Sequence, residues 1–169
     1  MLLVLFVLCS SLRSGSQQPK HAVDEPKGCD SELLKTSVPE PPDGGLGHYA
    51  YVYQVTNSSQ QTCTLSGVAR VRLLDEHRRD LHMSICSNCD DYMFASRPSE
   101  VVPLRPGRSA HLMVGVHIID APGHHCVTSS WLAIFPVKSS EALLFKASWM
   151  TVCDTITVSA WRAGIYEKP

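Results

Sequence analysis

The sequence predicts an all-β domain built as an antiparallel sandwich, with a closed barrel as the alternative. Three observations carry that expectation. Apolar and polar residues alternate in short runs about ten residues apart, and no 3.6-residue period persists beyond two turns. Glycine and proline, 10 and 11 of 169 residues, fall between the runs. An even set of cysteines follows an apolar leader, as in small exported domains stapled by disulfides.

The runs follow in order. Tyr49, Tyr51, Tyr53 and Val55 share one strand face, with His48, Gln54 and Thr56 opposite, and Asn57-Ser58-Ser59-Gln60 supplies a turn. Cys63 and Leu65 point one way, and Gly67 marks a bend. Ala69, Val71 and Leu73 alternate with Arg70 and Arg72 as in a half-buried strand. Residues 75–80 form a charged turn. Leu81, Met83 and Ile85 then alternate with His82 and Ser84. After a turn at 103–107, Ala110, Leu112, Val114, Val116 and Ile118 make a long inward face. Residues 131–135 are nearly continuous apolar, as in a central strand, and 143–149 and 155–161 complete the set.

Residues 2–8 form an apolar run too short for a membrane helix, which needs about 20 residues. It suits a secretory signal, with Ser14 and Ser16 allowing cleavage before Gln17, although no Lys or Arg precedes the run. The expected organisation is a signal peptide at 1–16, a flexible lead-in at 17–28 and a single domain at 29–169. Lipid anchoring through Cys9 is the alternative, but Phe6 and Leu8 fit its cleavage box poorly. No other run is long and charge-free enough to span a membrane. Acidic residues (16) nearly balance basic ones (15), and the charges are scattered, which argues against a basic patch and a nucleic-acid partner.

The stretch from Tyr49 through Thr62-Cys63-Thr64-Leu65-Ser66-Gly67 is similar to a family of bacterial secreted domains of unknown function. The resemblance rests on a strand ending in Asn, a polar turn and this Thr-Cys-Thr-Leu-Ser-Gly block. A Leu104-Arg-Pro-Gly107 turn into a long apolar strand and a later cysteine, Cys126, before residues 131–136 also match. The segment with Cys86 and Cys89 departs from the pattern, as does Val68, where a Tyr-Pro pair is more usual. The resemblance implies an immunoglobulin-like β-sandwich, exported and often lipid-anchored, with no established activity.

Six cysteines outside the leader allow 15 pairings. The favoured one is Cys29–Cys63, Cys86–Cys89 and Cys126–Cys153. Cys86-Ser-Asn-Cys89 is also a candidate redox centre or half of a metal site, but Asp90 and Asp91 beside it disfavour a thiolate. Metal binding at Cys86 and Cys89 needs partners such as His82, Asp90, Asp91, His124 or His125. His124-His125-Cys126 reads first as a solvated loop end. His111 and His117 lie about 20 Å apart along one strand and cannot share an ion, which leaves His111 with Met113 as a possible pair. Glu76, His77 and Asp80 read as a solvated hairpin, and the tyrosine row as core in preference to a ligand platform. Asn57-Ser58-Ser59 fits a glycosylation acceptor, and in a bacterial protein is merely a turn. No hydrolase elbow, zinc-protease helix motif or phosphate loop occurs. The sequence therefore points to a non-enzymatic exported module that binds a protein, an envelope component or a small ligand, and calls for no cofactor. A metal-handling protein is the alternative.

Overall fold

The computed structural model of the chain describes residues 27–37, 43–65, 67–119, 122–123, 125–136 and 141–167. The expected signal segment, Cys9 and most of the expected lead-in lie outside the described residues. Lys27 and Gly28, at the lead-in's end, are already docked. Thr64 N donates to Lys27 O at 3.0 Å, Cys29 N donates to Thr64 O at 2.9 Å, and Gly28 bridges Thr64.

Apart from one 3-10 turn at Ser31–Leu33, the regular structure among the described residues is β. The largest sheet is centred on β3 (His48–Asn57) and β8 (Ser109–His117), paired antiparallel from His48↔His117 to Thr56↔Ser109. β1 (Leu34–Thr36) and β2 (Asp43–Gly45) pair with β3. β11 (Thr155–Val158) and β12 (Arg162–Ala163) pair with β8, and β6 (Ser84–Ser87) lies outside β11. A second sheet has the order β10 (Leu143–Cys153), β9 (Cys126–Phe135), β5 (Arg70–Leu74). β4 (Cys63–Leu65) and β7 (Val102–Leu104) form a small third sheet.

The alternating residues of the two larger sheets meet in one apolar cluster. Tyr53, Leu112, Val114 and Ile156 from the first are fully buried with Leu73, Leu132, Ile134 and Met150 from the second. Tyr53 and Phe145 meet edge to face across it, with ring centroids 4.9 Å apart. The tyrosine row is therefore core, as Tyr51 and Tyr53 are buried there and Tyr49 packs against it.

Three disulfides tie the framework: Cys29–Cys63, Cys86–Cys89 and Cys126–Cys153. The last joins residues that face each other in the β9–β10 register.

Three features differ from the expected pattern. First, β6 pairs with β11 in parallel. The preceding strand, β5, belongs to the other sheet, so β6 is reached by a crossing between sheets and no hairpin imposes the opposite direction. Second, the run from Leu81 to Ile85 is strand only at its end, and Ile85 is 37% exposed. His82 at φ +53 breaks the alternation. Third, Ile118 leaves the inward face. β8 ends at His117, and Ile118 N donates to Gly47 O at 2.9 Å.

Candidate functional site

The outer face of the β3–β8 ladder is not open to solvent. Ala50, Val52 and Met113 point away from the main core, yet are only 4%, 6% and 5% exposed. They form a second cluster with Phe94, flanked by Met93 and Tyr166. Their cover is the segment 88–97, which begins inside the Cys86–Cys89 disulfide loop.

That segment has no regular structure and is held by its own short polar side chains. Asn88 Nδ2 donates to Arg97 O at 2.7 Å, joining its two ends. Ser96 N and Oγ both donate to Asp90 Oδ1 at 2.8 Å, and these bonds draw the Asp90 carboxyl below its usual range. Met93 N donates to Asp91 Oδ1 at 2.9 Å. The Asp91 carboxylate lies directly on Gly115, where any Cβ would strike it. Only glycine on β8 admits the cover at this depth. At one end Tyr92 stacks on His48, which in turn lies against His117.

At the other end the last described residues fold over the same face. β12 pairs with β8, and the Tyr166 ring stands edge-on to His111 at 5.6 Å. Between cover and tail opens a cleft of about 620 Å³, lined by Arg97, Glu100, His111, Trp161, Arg162 and Tyr166 among others. His111 is 7% exposed. Its Nδ1 donates to Gly164 O at 3.1 Å, and burial pulls its pKa down, which favours the neutral ring with Nε2 as an acceptor. Arg162 has its pKa lowered first by burial and then by the charge of Arg97. Arg162 Nε and Trp161 Nε1 are buried without a hydrogen-bond partner. The cleft thus sets two guanidiniums, Arg97 and Arg162, beside two carboxylates, Glu100 and Glu167, and the guanidiniums give it a place for an anionic group.

The predicted metal ligands do not converge. Cys86 and Cys89 are bonded to each other and offer no thiolate. His82 is exposed, His125 is exposed with its backbone N–H on Asp154 Oδ1 at 3.1 Å, and His124 lies outside the described residues. Met113 is packed in the second cluster, away from any open ligand position. No group of three or more His, Cys, Asp and Glu placed to hold a metal occurs among the described residues. Glu76, His77 and Asp80 sit in the hairpin after β5, where Asp80 pairs with Arg72 at 3.5 Å.

A family model described as a domain of unknown function, DUF4232, matches residues 29–162. The chain belongs to that family. No curated protein and no solved structure matches it. The matched span takes in all three disulfides, the cover segment and the floor of the cleft, and ends at Arg162. Among the described residues no helix is long and apolar enough to cross a membrane. The disulfides are consistent with an extracytoplasmic protein.

Sequence reading did not find Arg97, Trp161 or Arg162. One signal was available: β3 and β8 carry apolar residues in both phases, at Ala50, Val52 and Met113 as well as on the inner face. Such strands are covered on both sides.

Replacing both Cys86 and Cys89 by serine should lower stability by only about 1–2 kcal/mol, because the closed loop is short. The Asn88–Arg97 and Asp90–Ser96 bonds hold the cover without the disulfide. Urea unfolding with amide exchange over 88–97 checks this, and global loss of folding would show that the clasp anchors the whole cover.

Proposed function

We propose that the chain is an exported, non-enzymatic binding module with an immunoglobulin-like sandwich framework, and that its cleft takes a small ligand bearing a carboxylate or phosphate. One observation carries the reading: Arg162 is partly buried beside Arg97, and both residues line the cleft. Two neighbouring guanidiniums repel each other and lose hydration, so an anion that bridges them relieves both costs. His111 and Tyr166 close the far wall and add polar contacts that set orientation. The facing sheets, joined in one core, support the sandwich framework.

The test is thermal unfolding against a panel of phosphate, citrate, sugar phosphates and simple carboxylates. At 100 times Kd a ligand stabilises by about 2.7 kcal/mol, which raises Tm by about 5–10 °C. Arg97→Gln with Arg162→Gln should abolish the shift. A panel that gives no shift, or a shift that survives the double variant, overturns the cleft as the site.

A further inference from the structure

We propose that the solvent-facing side of the three-stranded sheet is a docking surface for an anionic polysaccharide, separate from the cleft. Arg70, Arg72, Arg78 and Lys146 lie apart in the sequence, but strand register gathers them. Arg70 pairs with Phe135, and Leu74 and Lys146 both pair with Trp131. Directly paired residues of an antiparallel ladder project to the same face. Leu73, Leu132 and Ile134 occupy the inner face, so the alternate residues face outward.

The guanidiniums rest on the aromatic rings. Arg70 lies 4.4 Å from the Phe135 centroid, Arg72 lies 5.6 Å from the same ring, and Arg78 lies 5.3 Å from the Trp131 centroid. Stacking fixes the plane of each guanidinium and leaves its N–H edge for an anion. Asp80 pairs with this row through Arg72. A chain with a formal net charge of −1 thus carries a local cationic surface. At the edge of β5 the surface continues into a furrow of about 320 Å³, lined by Arg70, Arg72, Asp80, His82 and Met83 among others.

Geometry selects the occupant. The cations spread over about 10 Å across the strands and about 7 Å or more along them, beyond the reach of one small anion. A chain with a charge on each sugar reaches all of them. Single-stranded nucleic acid binds where open rings stack on bases. Here the rings already carry guanidiniums. The disulfides are also consistent with an extracytoplasmic setting, where anionic glycans are met.

The test uses the full disulfide-bonded domain and fluorescein-labelled heparin oligosaccharide, read by anisotropy from 50 to 300 mM NaCl. We expect saturable binding that neutral dextran does not compete. Arg72→Gln, Arg78→Gln and Lys146→Gln together should weaken it at least tenfold. By analogy with counterion release from nucleic acids, the triple variant should also reduce the slope of log Kd against log salt by about two to three. Arg105→Gln with Arg108→Gln, on the turn between β7 and β8, should leave it unchanged, as should Arg97→Gln with Arg162→Gln in the cleft. Absence of heparin binding overturns the proposal. So does equal weakening by the Arg105 and Arg108 pair, or tighter binding of an oligo-dT strand than of heparin at matched salt.

Discussion

Asn57→Ala should destabilise the domain by about 3 kcal/mol, more than any other single polar substitution outside the disulfides. Asn57 is 0% exposed at the end of β3. Its Nδ2 donates to Gln61 O at 2.8 Å and Leu104 O at 2.7 Å, and its Oδ1 accepts from Ser59 N at 2.9 Å and Ser59 Oγ at 2.8 Å. Its backbone completes the junction: Asn57 N donates to Arg108 O at 3.0 Å, and Gly107 N donates to Asn57 O at 2.8 Å. One side chain therefore ties the turn into β4 to the turn between β7 and β8. Alanine removes the side-chain donor from the Gln61 and Leu104 carbonyls and the acceptor from the Ser59 amide, at about 1–3 kcal/mol for each group that is left unsatisfied and buried. Asn57→Asp should be at least as harmful, because a carboxylate would face two carbonyl oxygens. Urea midpoints for the two variants decide the matter, and an aspartate milder than alanine would show that donation from Nδ2 is not the stabilising element. The same bonds use both Nδ2 protons, so the Asn-Ser-Ser triplet here is a structural turn and offers no accessible glycosylation site.

Asn57 also shows what a sequence can and cannot reveal. The turn was legible from its residue types, but the partner turn at Leu104-Arg-Pro-Gly107 was recognisable only as a separate element. Gly107 adopts φ +71, which a tight turn requires of glycine, and that need is local. The bond between the two turns is not local and leaves no periodic trace. Strands β3 and β8 are readable because one face of each enters the main core and imposes a period of two, and the second half of β9 because its apolar run is nearly continuous. β6 was not, because an edge strand with exposed Ile85 has little apolar pattern to display. The cover segment escaped for a related reason. It buries Phe94 and Met93 as isolated anchors and is otherwise held by Asn, Asp and Ser side chains, which read as ordinary loop. Arg97 and Arg162 meet only because the cover and the tail fold over the same ladder. The cationic face was hidden in the same way: balanced charges along the chain say nothing about strand register. The metal reading at Cys86 and Cys89 finds no support among the described residues, since the two cysteines are bonded to each other and no group of ligands gathers beside them.

Removing the Cys126–Cys153 bridge by Cys126→Ala with Cys153→Ala should cost about 3.5 kcal/mol, and removing Cys29–Cys63 the same way should cost slightly more. The sequence separations are 27 and 34, so the chain-entropy model places both near that value. Either loss is a large share of the stability of a domain this size, about 5–15 kcal/mol. The two bridges act differently in the folded state. Cys126 and Cys153 already face each other in an antiparallel ladder, so their strands remain hydrogen-bonded when the bridge is absent. The first bridge holds a segment whose other ties to β4 are a few backbone bonds at Lys27, Gly28 and Thr64. Its loss should therefore also free the N-terminal segment to exchange its amides, while amide protection in β9 and β10 should persist in the other variant. Because each bridge restricts the unfolded chain, urea m-values should rise as well as midpoints fall. A cost below about 1 kcal/mol for either pair, or one no larger than that of the Cys86 and Cys89 double variant, would mean that the strand ladders and the shared apolar core hold the domain, and that the bridges contribute little beyond them.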